Sequence, residues 1–108
     1  TPEDCARREA MEETGLRITR LEKASGYYSS PGAMTEFLIS FIAIADLPDT
    51  DARLGGVAHE AEDIRAHVID FDRLMTLVES GEAGCGPLVL SALWLARERG
   101  RLRENATR

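Results

Sequence analysis

Cysteine is scarce in this sequence, and long apolar runs are missing from it. Only Cys5 and Cys85 occur, far apart and without metal-ligand spacing, so both are expected to be reduced thiols in a cytoplasmic protein. The longest apolar stretch, 37–45, is interrupted by Ser40 and is far too short to span a bilayer. The pattern of a secretory signal, a positive start followed by an apolar run, does not occur either. Neither a disulfide framework nor a membrane span is therefore expected.

Positive charge is also in short supply. The sequence has 13 Lys and Arg against 19 Asp and Glu, and its formal net charge is −6. An acidic chain does not attract nucleic acid or an anionic membrane, so neither is an expected partner. A phosphate-bearing substrate would need metal ions or local arginines. With 108 residues, 44% of them hydrophobic and 30% charged, the composition is that of one globular domain.

The first half of the chain predicts one helix followed by strands. Thr1, followed directly by a proline, is typical of a helix start, and Gly15 is typical of a helix end. Three β-prone segments follow, at 18–21, 26–28 and 36–45. The last of them is rich in Phe and Ile and is expected to be a largely buried strand.

The second half begins with a polar, loop-like segment at 46–62, and loops of that length are often functional. Alternating apolar residues then predict a half-buried strand at 64–68. Asp70 is expected to cap a helix that ends at Gly81. A last helix is expected to start at Pro87, to run out into a solvated, arginine-rich end, and to bury Leu88, Ala92 and Leu95. Helices and strands together predict an α/β fold.

The most informative segment is 8–16, which reads Arg-Glu-Ala-Met-Glu-Glu-Thr-Gly-Leu. On a helix, Glu9, Glu12 and Glu13 fall within an arc of about 100°. Like charges at these spacings repel, at a cost of a few tenths of a kcal/mol per pair. A divalent cation would turn that cost into a binding site, because hard ions take carboxylate oxygens. A solvated acidic helix face is the alternative interpretation.

Segment 8–16 resembles the right-hand half of the Nudix box, the metal-binding motif of Nudix hydrolases. The left half of the box contains a Gly and a further Glu, and these would lie before Thr1. The resemblance implies that 1–108 is the C-terminal part of a single Nudix hydrolase domain, without its N-terminal sheet region and the start of the box. The fold it implies is an α/β/α sandwich with a mixed sheet, incomplete in this chain.

The same resemblance assigns roles to residues of the box. It implies that three carboxylates hold Mg²⁺ or Mn²⁺ ions that bridge the pyrophosphate oxygens of a substrate, namely Glu9, Glu12 and Glu13. Glu13 is also expected to act in catalysis. Arg8 is expected to be structural, because in the family this arginine orients an acid of the box.

Two further segments indicate the branch of the family. Ser30-Pro31-Gly32 resembles the proline-bearing turn of ADP-ribose pyrophosphatases, which implies that Pro31 and Gly32 bind substrate, and Glu36 matches an acid near the terminal ribose. Segment 55–68 resembles the loop and strand that carry the last acids of bacterial ADP-ribose pyrophosphatases. That match makes Glu60 the candidate general base and Glu62 a further metal ligand. Without the resemblance, these residues are an ordinary turn, a strand-edge charge and an acidic loop.

The function implied is metal-dependent hydrolysis of ADP-ribose to AMP and ribose 5-phosphate by a homodimer. The alternatives are the same chemistry on another nucleotide sugar, GDP-mannose or an ADP-hexose, and a Nudix-like sensor module that binds ADP-ribose without cleaving it. Such modules usually lose acids of the box, whereas the acids named above are present. Residues 1–108 alone are not expected to be an active enzyme.

Overall fold

A computed structural model describes residues 1–28, 36–47, 53–54 and 66–106 of the chain. The elements in these ranges, in chain order, are α1 (Pro2–Thr14), β1 (Ile18–Tyr28), β2 (Phe37–Ala45), β3 (Arg53–Leu54), β4 (Ala66–His67), α2 (Phe71–Ser80) and α3 (Gly86–Ala106). The mixture of helices and strands confirms the predicted α/β class. No helix in the described ranges has the length and apolar character needed to cross a membrane.

The chain divides into two compact units. The first comprises Thr1–Leu21 and Ala43–Leu74, and the second comprises Glu22–Ile42 and Met75–Arg108. The first unit therefore contains all of α1 together with β3 and β4, and the second contains all of α3. The described strands pair two by two, β1 with β2 and β3 with β4.

The pairing of β1 with β2 is antiparallel. The hydroxyl of Thr19, near the start of β1, donates a hydrogen bond of 3.0 Å to the carbonyl of Ile44, near the end of β2. At the opposite ends of the strands, the rings of Tyr28 and Phe37 meet edge to face with their centroids 5.0 Å apart. The two segments predicted within β1 are thus one continuous strand. The predicted loop at 46–62 contains the short strand β3, which pairs antiparallel with β4.

Helix α1 begins and ends where the sequence predicts. The side chain of Thr1 accepts a hydrogen bond of 3.1 Å from the backbone N–H of Asp4, and Pro2 occupies the first turn. At the other end, Gly15 has φ 70°, a left-handed conformation that glycine adopts without strain. Its N–H donates to the carbonyl of Met11 at 2.8 Å. Local interactions alone therefore set both ends of this helix.

The two later helices follow the same logic. The carboxylate of Asp70 accepts a hydrogen bond of 2.7 Å from the N–H of Arg73, which confirms the predicted cap of α2. Gly81, with φ 84°, follows the last residue of the helix. Helix α3 starts at Gly86, one residue before the predicted start, and its arginine-rich end is helical up to Ala106.

Burial is the property that the sequence predicted least well. Among the described residues, the buried apolar side chains are Val68, Ala92 and Leu102. The prediction for Ala92 is thus confirmed, whereas Leu88 remains 45% exposed in the first turn of α3. Strand β2 contains no fully buried residue, and Phe37 at its start is 50% exposed. An apolar run shows that a strand tolerates burial, but the layers that cover it come from other parts of the chain.

One arginine attaches α3 to β1 within the second unit. The guanidinium of Arg101 donates two hydrogen bonds to the carboxylate of Glu22, at 2.6 and 3.3 Å. It donates two more to Glu98 on its own helix, at 2.9 and 3.0 Å. These bonds raise the pKa of Arg101, and the bond from Arg101 lowers the pKa of the Glu98 carboxyl. Arg101 is thus solvent-exposed, as expected for the arginine-rich end, but it also pairs with acids of two elements.

Replacing Arg101 with alanine is expected to lower the melting temperature, because Glu22 and Glu98 lose the four hydrogen bonds that Arg101 donates. The matched control is Arg103→Ala, which removes an exposed arginine from the last turn of the same helix. Since the pKa of Glu98 is lowered in the folded protein, its stabilising effect is present above the ordinary glutamate pKa and is lost as the pH falls through the lowered value. Thermal unfolding at a series of pH values checks this. An Arg101 effect that stays undiminished far below about pH 4.3 would contradict it.

Candidate active site

The acids of the predicted metal site lie in the last two turns of α1. Because 2–14 is helical, Glu9, Glu12 and Glu13 share one face of the helix, as predicted. Glu9 is exposed, and the other two are half-buried. No basic residue occupies the last turn, although acids there face the negative end of the helix dipole. The basic residue nearest to these acids on the helix is therefore Arg8, one turn before Glu12.

Two of the carboxylates point back along the helix. The Sγ atom of Cys5 lies 3.8 Å from Oε1 of Glu9, and the guanidinium of Arg8 lies 3.7 Å from the same sulfur. The Nε atom of Arg8 is 4.0 Å from Oε1 of Glu12, in a solvent-exposed ion pair. Such a pair contributes little to stability. It does place Arg8 beside an acid of the box. Cys5 itself is a free thiol, as expected.

The described acids fit a divalent cation by their donor chemistry. Carboxylate oxygens on one helical face are the ligands that hard ions prefer. Within the described ranges, which do not include Glu60 or Glu62, no group of three or more His, Cys, Asp or Glu side chains is close enough to hold a metal ion. The assignment of Glu9, Glu12 and Glu13 as ligands therefore remains a prediction.

A hydroxyl that the sequence analysis did not single out joins the end of α1 to the chain that follows it. The Oγ1 atom of Thr14 donates to the carbonyl of Ala10 at 2.6 Å and accepts from the N–H of Leu16 at 3.1 Å. Beside it lies an open, largely apolar cavity of about 290 Å³, whose lining includes Ala10, Thr14, Leu16, Ile18, Ile44 and Leu47. A hydroxyl residue directly before a helix-ending glycine was the available signal in the sequence.

The remaining predicted site residues are described only in part. Glu36 is exposed and directly precedes β2. Four others lie outside the described residues, namely Pro31, Gly32, Glu60 and Glu62. Their proposed roles in binding substrate, activating water and holding metal stay predictions.

Comparisons with known proteins agree with the motif on α1. A family model described as the NUDIX domain matches residues 1–87. The ADP-ribose pyrophosphatase of Escherichia coli (strain K12) is 37% identical over 94 residues, which are 86% of this chain and 44% of that protein. Two GDP-mannose pyrophosphatases also match over 89 residues, which are 82% of this chain and 46% of each relative. The one from Salmonella arizonae (strain ATCC BAA-731 / CDC346-86 / RSK2980) is 38% identical. The one from Escherichia coli (strain SMS-3-5 / SECEC) is 36% identical.

The chain thus spans about half the length of the relatives it matches. The family model, by contrast, extends over most of the chain, from the box helix to the start of α3. Segment 8–16, on which the resemblance first rested, lies inside the matched region, and its residues 8–14 belong to the predicted helix. This chain belongs to the Nudix family.

Proposed function

We propose that this protein is a Nudix pyrophosphatase that hydrolyses ADP-ribose to AMP and ribose 5-phosphate. The observation that carries the proposal is the helix α1, which bears the three box acids on one face and ends at a left-handed glycine. An ADP-ribose pyrophosphatase matches 86% of the chain at 37% identity, which supports the choice of substrate. Both products form when water adds to one phosphorus of the pyrophosphate and the bond from that phosphorus to the bridging oxygen breaks.

In this proposal the acids have separate tasks. The metal ligands are Glu9, Glu12, Glu13 and Glu62. Nudix hydrolases generally use divalent metals, and the all-carboxylate donor set suits Mg²⁺ or Mn²⁺. A bound cation would supply charge neutralisation at the pyrophosphate oxygens. Glu60 accepts a proton from the attacking water as general base, and Glu13 contributes to catalysis in addition to binding metal.

The substrate contacts follow from the same proposal. The carboxylate of Glu36 accepts hydrogen bonds from hydroxyls of the terminal ribose, for which its exposed position before β2 leaves it available. Pro31 and Gly32 are the further residues proposed to bind substrate. A proline restricts the backbone and a glycine lets a ligand approach closely, so the two residue types suit this role.

The second candidate is a GDP-mannose pyrophosphatase, because relatives with that name are 38% and 36% identical to this chain. The full-length protein is expected to hydrolyse ADP-ribose with a higher kcat/KM than GDP-mannose or an ADP-hexose. Product release measured with each substrate at saturating Mg²⁺ tests this expectation. A preference for GDP-mannose would favour the second candidate. Binding of ADP-ribose without turnover of any of the three would favour a sensor module.

We further propose that residues 1–108 are the C-terminal part of one Nudix domain and that the protein is a cytoplasmic homodimer. The support is the large apolar surface of the described residues, which includes Met11, Tyr28, Phe37, Leu47, Leu88 and Leu93, each between 45% and 59% exposed. Association would remove such side chains from water, which is favourable where they form a common surface. Sedimentation of the full-length protein reports its oligomeric state.

A further inference from the structure

At the C-terminal end of α1, the side chain of Thr14 forms hydrogen bonds with the backbone, and the last turn contains no basic residue. Thr14 is half-buried, and its Oγ1 atom contacts the chain on both sides of the helix end. Toward the helix it donates to the carbonyl of Ala10 at 2.6 Å, and beyond it accepts from the N–H of Leu16 at 3.1 Å. Together with the bond of 2.8 Å from Gly15 to Met11, these contacts tie the last turn of α1 to the residues that lead into β1.

The last turn of α1, which Thr14 ends, also carries two of the three box acids. Glu12 and Glu13 directly precede Thr14 and face the negative end of the helix dipole, and each lies about one turn from the like-charged Glu9. The last turn of a helix frays most easily, and here the charges favour fraying further. The hydrogen bonds of the Thr14 hydroxyl oppose this fraying. Because the hydroxyl is half-buried, water competes less for these bonds.

Helix α2 ends with a related arrangement, in which the hydroxyl bonds to the carbonyl three residues back rather than four. The Oγ atom of Ser80 donates to the carbonyl of Leu77 at 3.2 Å and accepts from the N–H of Glu82 at 3.3 Å, and Gly81 follows in a left-handed conformation. Both bonds are longer than those of Thr14, and Ser80 is exposed. The motif thus ends two helices of this chain, but only on α1 does it close a turn with proposed metal ligands.

We propose that Thr14 is a positioning residue whose hydroxyl holds the last turn of α1 in the conformation that presents Glu12 and Glu13 to the metal. This inference rests on the proposed function, because it takes these acids to be ligands. On the helix, Thr14 lies on the face toward the apolar cavity, about 150° from the centre of the acidic face. It therefore acts through the backbone and touches neither metal nor substrate. Ligands held in advance bind more tightly, since less conformational freedom is lost on binding.

The test compares Thr14→Val, which keeps the shape of the side chain but removes the hydroxyl, with Thr14→Ser, which keeps the hydroxyl. The measurement is Mn²⁺ affinity of the full-length protein, from the electron paramagnetic resonance signal of the free ion. We expect binding about tenfold weaker in Thr14→Val and close to wild type in Thr14→Ser. Amide hydrogen exchange at 11–16 should be faster only in the valine variant.

The matched control is Ser80→Ala, which removes the corresponding hydroxyl from α2 and should leave Mn²⁺ affinity unchanged. Wild-type affinity in Thr14→Val, or equal weakening in Thr14→Ser or Ser80→Ala, would overturn the inference. If circular dichroism shows that the valine variant is unfolded, Thr14→Ala replaces it under the same criteria. A wild-type protein that binds no Mn²⁺ would instead overturn the proposed function, and this inference with it.

Discussion

The Glu13→Gln protein is expected to lose most of its turnover while remaining folded. Glutamine keeps the size and most of the hydrogen bonding of Glu13 but removes the charge, so a divalent cation should bind more weakly. A group that stabilises charge in a transition state contributes on the order of 10²–10³-fold in rate, and a loss of that size is expected in kcat. Rates measured over a range of Mg²⁺ concentrations give both kcat and the affinity for the metal.

The matched control for Glu13→Gln is Glu3→Gln on the same helix. Glu3 is exposed in the first turn of α1, where its charge favours the helix dipole, and no role in the site is assigned to it. Its replacement should lower stability slightly and leave turnover unchanged. Unchanged turnover of Glu13→Gln at limiting Mg²⁺ would contradict the proposed role of that acid.

The two acids of segment 55–68 are expected to separate by their effects on metal binding. Glu60→Gln should lower kcat by about 10²–10⁴-fold, the usual contribution of a positioned general base, with little change in metal affinity. Glu62→Gln should weaken metal binding as well as turnover, because it removes a ligand. Metal titrations combined with steady-state rates distinguish the two.

Asp63→Asn is the matched control for this pair, since Asp63 is an acid of the same segment without an assigned role. Asp63→Asn should change neither kcat nor metal affinity strongly. The reverse pattern, in which Glu60→Gln weakens metal binding and Glu62→Gln lowers kcat alone, would exchange the two roles without affecting the family assignment.

The sequence by itself was sufficient for the family and for the ends of α1 and α2. The pattern at 8–16 identified the Nudix box, and the matching family model confirmed that assignment. The caps at Thr1 and Asp70 and the stop at Gly15 were also predicted correctly. These caps and stops depend on contacts between residues at most four positions apart. A local sequence pattern is therefore sufficient to predict them.

Within the candidate site, the sequence could place the acids on one helical face but not the directions of their side chains. The contacts of Glu9 with Cys5 and of Glu12 with Arg8 depend on rotamers, which a helical spacing leaves open. The hydroxyl bridge of Thr14 was missed for a similar reason. Threonine bonds back to a helix carbonyl in some helices and faces solvent in others.

Only the tertiary structure decided which residues are buried and which charges are paired. Leu102 is buried although it lies in the arginine-rich end of α3, whereas Phe37, in the most apolar segment of the chain, is half exposed. Arg101 pairs with Glu22, which lies 79 positions earlier in the sequence. Burial and long-range pairing depend on which distant segments fold against each other, and short-range sequence patterns contain no record of that choice.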